Sequence, residues 1–307
     1  MRVLVVGAGA LGGYFGGRLL AAGRDVTFLV RQRRAEELAR DGLRIESRFG
    51  DLHLGTPPTV LAQDLRQPFD LVLLSCKAYD LEAAMDAFAP AVGAGAAILP
   101  LLNGMAHLDA LEARFSADAV LGGVALIGAT LRDGTVVHLN DVHGLVFGDR
   151  AGGIPARIAA VTAAMEGAGF DARASDAILV EMWEKWVMLA SLAAGTCLMR
   201  APVGAIVAAP GGRELMLGLH EEATAVAKAA GREPRAPAVE RTRAMLTTPK
   251  SPFSASMLRD LEGGGRTEAD HVIGDLVRRG EAAGLPCRLL RLAYTHLKAY
   301  EARRATA

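Results

Sequence analysis

The amino-acid sequence predicts an α/β domain with a parallel sheet, followed by an all-α domain. In the first half, short β-branched apolar runs alternate with helical segments, and the first two helices end at glycines. This β-α-β order implies parallel strands joined by right-handed crossovers. After residues 174–176 the strand signals nearly vanish and helical patterns follow one another. We therefore expect one domain at residues 1–175 and a second at residues 176–307.

Length and composition agree with two globular domains. The chain has 307 residues, 51% hydrophobic and 22% charged, and single cores stop growing near this size. The net charge is zero, so the charge balance favours neither a nucleic acid nor an anionic membrane as partner. The three cysteines form no CxxC pair and lack metal-ligand spacing, which argues against a disulfide framework and predicts a protein of the reducing cytoplasm. Apolar runs stay shorter than the roughly 18 residues that a membrane-spanning helix needs.

The elements of the first domain follow from their patterns. Core strands are predicted at RVLVVGAG, DVTFLV, FDLVLLSC and AAILPLLNG; FDLVLLSC lacks alternation, as expected for a strand covered on both faces. Helices are predicted at GYFGGRLLAAG, RRAEELARDG, DLEAAMDAFAPAV and MAHLDALEARF. LRIES and DLHLG resemble an antiparallel pair. From about residue 120, the segments LGGVALIGATL, GTVVHLN, GLVFGD and FDARASD predict an antiparallel extension of the sheet.

The second domain is predicted from helical patterns alone. They cover residues 177–199, 212–231, 236–246, 266–284 and 286–303.

A glycine-rich loop joins the first strand to the first helix. Gly7, Gly9 and Gly12 have the spacing G-x-G-x-x-G, in which the glycines permit a tight turn, close approach to a pyrophosphate, and packing of helix on strand. Ala10 and Leu11 lie at the start of the helix, where free N–H groups and a partial positive charge favour an anion. The loop predicts a dinucleotide site; a glycine-rich turn without a ligand is the alternative.

Three further positions complete the predicted cofactor site. Arg31 ends the second strand, where an NAD-selective site usually has an acidic residue, and Arg33 and Arg34 are nearby. Because a guanidinium can bind a 2′-phosphate, this favours NADP. Lys77 and Asn103 follow core strands whose carboxyl ends line the ligand crevice, so Lys77 can meet a phosphate or ribose and Asn103 the nicotinamide side. Each residue has an alternative interpretation. Arg31 can belong to a solvated basic helix start, Lys77 can be an exposed loop lysine, and Asn103 can be part of an Asn-Gly turn.

One lysine, Lys185, lies in the mostly apolar segment EMWEKWVMLASLAAGTCLMR, between Trp183 and Trp186. It can be a surface lysine paired with Glu181 one helical turn earlier. It can also be a catalytic proton donor in a half-buried pocket.

The chain resembles the ketopantoate reductases (2-dehydropantoate 2-reductases) over nearly its whole length. The segments GAGALGGYFGGRL, CKAYD, LLNGM, WEKW and SMLRDLEGGGRTEADHVIG occur in the family's order. The resemblance implies an N-terminal Rossmann domain, a helical C-terminal domain and an active site in the cleft between them. It further implies reduction of a small 2-oxo-acid such as ketopantoate with NADPH, in pantothenate biosynthesis, by a homodimer.

The resemblance also implies roles for single residues. Lys185 matches the family's catalytic lysine, Glu268 its active-site glutamate and Ser256 its substrate-binding serine, while Lys77 and Asn103 match its cofactor-side pair; Asn103 would also meet the substrate. An ammonium group can stabilise negative charge on the ketone oxygen and deliver the proton, and apolar surroundings lower its pKa. The alternatives are a first-turn helix acid for Glu268 and a cap or loop hydroxyl for Ser256.

The sequence departs from the family at two positions on the helix face of Lys185. Members usually carry asparagines one and two turns beyond the lysine, whereas this chain has Leu189 and Ala193. The departure leaves three functions open: reduction of ketopantoate, reduction of a less polar 2-oxo-acid or ketone, and a non-catalytic NADP(H)-binding sensor.

Overall fold

The computed structural model describes residues 1–306, which form two compact units. One unit comprises Met1–Leu102 and His107–Ile178, and the other comprises Asn103–Ala106 and the chain from Leu179 onward. Among the described residues, no helix combines the length and the apolar character needed to cross a membrane.

The strands of residues 1–306 all lie in the first unit and form two sheets. They are β1 (Arg2–Val6), β2 (Asp25–Leu29), β3 (Leu43–Glu46), β4 (Leu52–Leu54), β5 (Thr59–Val60), β6 (Phe69–Leu74), β7 (Val92–Pro100), β8 (Gly122–Arg132), β9 (Thr135–Gly148) and β10 (Asp171–Ala174).

The first sheet is fully parallel and has the strand order β5-β2-β1-β6-β7. Val3 of β1 is in register with Val26 on one side and with Leu71 on the other. The chain order reverses at β1, and the crevice at such a switch point is where ligands bind in open α/β sheets. The predicted parallel α/β fold is therefore confirmed.

The second sheet is mixed and is built around the long strand β9. The predicted β3–β4 pair is antiparallel, and β8 pairs antiparallel with β9, whereas β3 and β10 run parallel to β9. A bridge between Ile98 and Val120 connects the edge of the first sheet to the segment before β8. The predicted antiparallel extension is thus a separate, mixed sheet. The pairing of β8 with β9 is antiparallel as predicted, whereas the prediction is wrong for FDARASD, because β10 runs parallel to β9. Strand β9 is continuous where the sequence predicts two segments.

Helices α1 to α5 accompany these strands, and α1 and α5 pack directly against them. They are α1 (Ala10–Ala21), α2 (Gln32–Asp41), α3 (Leu81–Phe88), α4 (Ala106–Phe115) and α5 (Ala156–Met165). Four aromatic side chains fill the core of this unit, and each is fully buried: Tyr14, Phe15, Phe28 and Phe147. Helix α5 is absent from the sequence-based prediction.

The second unit is helical, as predicted. Its helices are α6 (Ile178–Met199), α7 (Val203–Ala208), α8 (Gly212–Ala229), α9 (Ala236–Leu246), α10 (Ser256–Glu262), α11 (Asp275–Ala282) and α12 (Arg288–Ala305). The short helices α7 and α10 are not predicted from the sequence. The helix predicted at 266–284 is divided, because a π-helical turn at Asp270–Gly274 precedes α11.

Candidate active site

The glycine loop forms a cradle at the start of α1. Gly9 is the N-cap, and the first helical hydrogen bond runs from the Gly13 N–H to the Gly9 carbonyl oxygen at 2.8 Å. The N–H groups of Ala10, Leu11 and Gly12 therefore have no partner within the helix, and the first turn carries no acidic residue.

The space around each glycine explains its position. Gly7 has φ +92°, a left-handed conformation that favours glycine. A Cβ at Gly12 would clash with the Gly7 carbonyl oxygen and with Ser75 Oγ, so helix and strand pack directly at this point. A Cβ at Gly9 would have no protein atom within 4 Å. Open space beside free N–H groups fits a pyrophosphate, so the residues present suit a dinucleotide.

Two side chains support this loop: Ser75, which the sequence interpretation missed, and Arg34, which it assigned to the basic cluster beside Arg31. Ser75, just after β6, donates from Oγ to the carbonyl oxygens of Val6 at 2.8 Å and Gly7 at 3.2 Å. Arg34 donates from Nε to the carbonyl oxygen of Ala8 at 3.1 Å, and only 14% of its side chain is exposed. Arg34 is therefore a structural residue rather than a free member of the basic cluster. The two carbonyl oxygens that Arg34 binds, those of Ala8 and Gly134, are 26 and 100 positions away, so no local pattern indicates them.

Arg31 is the arginine that is available to a ligand. It is the N-cap residue of α2, its side chain is 79% exposed, and it forms an ion pair with Asp80 at 3.1 Å between Nη2 and Oδ1. Lys77 is exposed and is the N-cap residue of the short turn Ala78–Asp80. The Arg31–Asp80 pair thus brings the loops after β2 and β6 into contact. Asp80 is a further residue that the sequence interpretation missed.

Lys185 lies on α6 within the helical unit and is partly exposed as a residue. Burial lowers the pKa of its ammonium group to about 8, and the negative charge of Glu268 opposes this shift. The neighbouring Trp183 and Trp186 are buried, with ring centroids 4.8 Å apart. The environment is thus that of a desolvated lysine facing one carboxylate, which suits a proton donor near neutral pH.

Glu268 immediately precedes the helical segment that contains the π-helical turn. Its carbonyl oxygen accepts from the N–H groups of His271 at 3.2 Å and Val272 at 2.9 Å. The preceding residue, Thr267, is buried and donates to Oε1 of Glu301 on α12 at 2.6 Å. The backbone on both sides of Glu268 is therefore fixed.

A tryptophan joins the lysine helix to the glutamate segment. Trp186, the residue after Lys185, donates from Nε1 to the carbonyl oxygen of Val272 at 2.8 Å, and it is almost fully buried. Arg279 lies over the same indole ring at 5.8 Å and is paired with Asp275. The sequence interpretation placed Trp186 beside Lys185 but contained no signal for the contact with Val272.

The remaining predicted site residues of this unit have different surroundings. Asn103 belongs to the helical unit, and its carbonyl oxygen accepts a hydrogen bond from the imidazole of His271. Ser256 is exposed and is the first residue of α10. The structure therefore brings together Lys185 and Glu268, and it places Asn103 against the segment that follows Glu268.

The face of α6 beyond Lys185 carries apolar side chains. Leu189 lies one turn further and is partly buried, and Ala193 lies two turns further and is buried. The nearby hydroxyl groups of Ser191 and Thr196 are buried and donate to the carbonyl oxygens one turn earlier, at 2.7 Å in both cases. These hydroxyl protons are therefore not available to a ligand.

Both parts of the chain match family models of known proteins. A family model described as "Ketopantoate reductase PanE/ApbA" matches residues 3–152, and one described as "Ketopantoate reductase PanE/ApbA C terminal" matches residues 177–301. The chain is 38% identical to an uncharacterized oxidoreductase of Bacillus subtilis (strain 168), over 98% of this chain and 99% of the relative. It is 32% identical to a 2-dehydropantoate 2-reductase of Halobacterium salinarum, over 91% and 92% of the two chains.

Solved structures agree with these sequence matches. The PanE/ApbA family ketopantoate reductase of Ralstonia eutropha JMP134 is 28% identical, with a TM-score of 0.89 over 99% of this chain and 100% of that one. The chain thus belongs to the ketopantoate reductase family. It is an oxidoreductase of the group that acts on CH–OH groups.

Proposed function

We propose that this protein reduces a small 2-oxo-acid with NADPH, ketopantoate being the first candidate, and that Lys185 is the general acid. The observation that carries the proposal is the environment of Lys185. A buried ammonium group with a pKa of about 8 faces a single carboxylate, that of Glu268. This is the arrangement that a proton donor to a developing alkoxide needs.

Lys185 acts on the carbonyl oxygen of the substrate. When bound, the reduced nicotinamide supplies a hydride to the carbonyl carbon. The ammonium of Lys185 hydrogen-bonds the oxygen on which negative charge develops, stabilises that charge and transfers one proton to it. Glu268 holds the ammonium in orientation and supports its charged form. A hydroxyl at Ser256 can donate to the substrate carboxylate, and the amide of Asn103 can contact substrate and nicotinamide.

The glycine loop and Arg31 would hold the cofactor. The N–H groups of Ala10 and Leu11 and the open space at Gly9 support binding of the pyrophosphate. The exposed guanidinium of Arg31 supports a choice of NADP, because it can bind a 2′-phosphate in place of the Asp80 carboxylate. Lys77, at the start of the same loop as Asp80, can add a positive charge for a phosphate.

The apolar face of α6 favours a second candidate function, reduction of a 2-oxo-acid or ketone without polar groups at that position. A substrate hydroxyl lying against Leu189 and Ala193 would lose its hydrogen bonds to water without regaining them, at a cost of about 1–3 kcal/mol. An aliphatic or aromatic substituent would instead gain contact area there.

Each predicted domain has its own proposed function. Residues 1–175 would bind NADP, and residues 176–307 would bind the substrate and form a homodimer. Cys76, Cys197 and Cys287 carry thiols that are not joined in disulfides, which supports a reducing cytoplasm as the compartment. A role in pantothenate biosynthesis follows only if ketopantoate is the preferred substrate.

The test is oxidation of NADPH with ketopantoate and a panel of other 2-oxo-acids. It compares the wild type with Lys185→Ala, and Lys228→Ala is the matched control because Lys228 is an exposed lysine paired with Glu233. Turnover of a 2-oxo-acid that Lys185→Ala loses and Lys228→Ala keeps is the expected result. Tight NADPH binding without turnover of any panel member would favour the sensor and contradict the proposal.

The choice between the two candidate substrates uses the variant Leu189→Asn. If ketopantoate is the natural substrate, the wild type prefers it and the variant changes kcat/KM little. If a less polar acid is the substrate, the wild type prefers that acid, and Leu189→Asn shifts the preference toward ketopantoate by about 5- to 150-fold, the equivalent of one recovered hydrogen bond.

A further inference from the structure

The π-helical turn Asp270–Gly274 is the one segment of the described residues with this geometry. It begins two residues after Glu268 and ends where α11 begins. Such turns insert an extra residue into a helix, leave carbonyl oxygens without their regular partners, and occur frequently at functional sites. Here the Val272 carbonyl oxygen accepts from Trp186, so the turn is bonded to the helix that carries Lys185.

The same turn also contacts the loop that contains Asn103. The imidazole of His271 donates to the Asn103 carbonyl oxygen. Gly104, next in the chain, has φ +79°, and a Cβ there would lie 2.8 Å from the carbonyl oxygen of His271 and 3.0 Å from its Cδ2. The Cδ2–Nε2 edge of the imidazole therefore packs directly against the backbone of this loop.

The charge state of His271 agrees with a donor role. Burial lowers the pKa of the imidazole; the carboxylates of Glu268 and Asp275 oppose this shift and the guanidinium of Arg278 adds to it. The ring is therefore neutral at neutral pH, with one N–H to donate. The hydrogen bond to a backbone carbonyl fixes which nitrogen carries that proton.

From these contacts we propose that His271 is a positioning residue, which holds the Asn103 loop in place relative to Glu268 and, through Trp186, to Lys185. The proposal rests on the proposed function for the roles of Asn103, Glu268 and Lys185. In this role His271 acts through the Asn103 loop and not on the reacting atoms. Its effect on the rate is geometric. A displacement of about 1 Å in a reacting group can lower a rate by about 100-fold, so the position of the Asn103 loop matters.

The first test is kinetic and uses a double-mutant cycle. His271→Leu, which removes the N–H donor, is expected to lower kcat/KM for the 2-oxo-acid by about 10- to 100-fold. His271→Gln, whose amide N–H can replace the imidazole donor, is expected to recover most of this loss. In an Asn103→Ala background, His271→Leu should cost little more, because His271 acts through the position of Asn103.

The matched control is Tyr294→Phe. Tyr294 donates to Oδ1 of Asp270 at 2.5 Å, so this variant also removes a hydrogen bond from the π-helical turn but leaves the Asn103 contact intact. It is expected to keep kcat/KM within about twofold of the wild type. Equal losses in Tyr294→Phe and His271→Leu, or additive effects of His271→Leu and Asn103→Ala, would overturn the proposal.

A second measurement separates this proposal from the proposed function. Amide hydrogen exchange of residues 103–106 reports how readily this loop opens, and it does so even if the protein turns over none of the acids tested. His271→Leu is expected to increase exchange in this segment by tenfold or more, while His271→Gln and Tyr294→Phe leave it unchanged. Unchanged exchange in His271→Leu overturns the positioning role, whereas absence of turnover in the wild type refutes only the proposed function.

Discussion

The pH dependence of reduction should change when the charge of Glu268 is removed. With a pKa of about 8, Lys185 has roughly ten protonated molecules for each neutral one at pH 7. As pH rises through 8 the general acid loses its proton, so kcat/KM should fall about tenfold for each further pH unit. The falling part of the plot of kcat/KM against pH, its alkaline limb, reports the pKa of Lys185 in the free enzyme.

Glu268→Gln should move the alkaline limb to lower pH. The carboxylate raises the pKa of Lys185 against the effect of burial, and an opposite charge within a few ångströms typically changes a pKa by about 1–3 units. A shift of about one unit or more is therefore expected. At pH 7.5 a shift of one unit should lower the protonated fraction of Lys185, and with it kcat/KM, by about threefold. A larger shift should lower both further, and the variant should regain that part of the loss in more acidic buffer.

Glu184→Gln is the matched control for this experiment. Glu184 adjoins Lys185 in the sequence, but its carboxylate binds the guanidinium of Arg235 at 2.7 Å. We expect this variant to keep the wild-type limb. A limb that stays in place or moves to higher pH in Glu268→Gln would refute the charge coupling, and a wild-type limb near pH 10 would refute the burial of Lys185.

Three further predictions concern stability and cofactor choice. Lys185→Met should raise the Tm at pH 7 by a few degrees, because the pKa of Lys185 is about 8 in the native protein and about 10.4 in the unfolded chain, so folding disfavours the charged lysine. Calorimetry should show the Tm difference between variant and wild type shrinking as pH rises from 8 to 10. Arg31→Ala should raise the KM for NADPH about tenfold and leave the KM for NADH unchanged, whereas Asp80→Asn should lower the KM for NADPH. Equal effects on both cofactors would contradict the assignment of Arg31 to the 2′-phosphate. Gly9→Ala should keep the wild-type Tm and weaken NADPH binding, whereas Gly12→Ala should lower the Tm, because only a Cβ at position 12 meets protein atoms. A lower Tm in Gly9→Ala would contradict this explanation of the glycine positions.

The order of the main elements could be predicted because local patterns determine it. The glycine spacing, the apolar run before it and the helix after it are contiguous, and β1, the loop and α1 occur as expected. The segment around Asn140 and Asp141 shows where such patterns fail. These exposed polar residues resemble a turn, yet β9 continues through them. The β8–β9 register shifts at this point, and Asn140 Oδ1 accepts from the Gly128 N–H of β8 at 2.8 Å, a contact that no local pattern indicates.

The contacts that define the site were not predictable in the same way. Trp186 and Val272 are 86 positions apart, and their hydrogen bond depends on how two helices pack. The π-helical turn has the same apolar pattern as an ordinary helix, so its extra residue leaves no periodic signal. The sequence therefore indicated Lys185 and Glu268 through family resemblance, but it gave no indication of His271 as the residue between Asn103 and Glu268.

The central claim is that Lys185 supplies the proton in the reduction. The most direct measurement is a single turnover of bound NADPH by Lys185→Ala at saturating 2-oxo-acid, with NADPH affinity measured on the same sample. We predict unchanged NADPH affinity and a rate lower by about 10²- to 10⁴-fold, the usual contribution of general acid catalysis. A rate near that of the wild type, at equal NADPH affinity, would contradict the account.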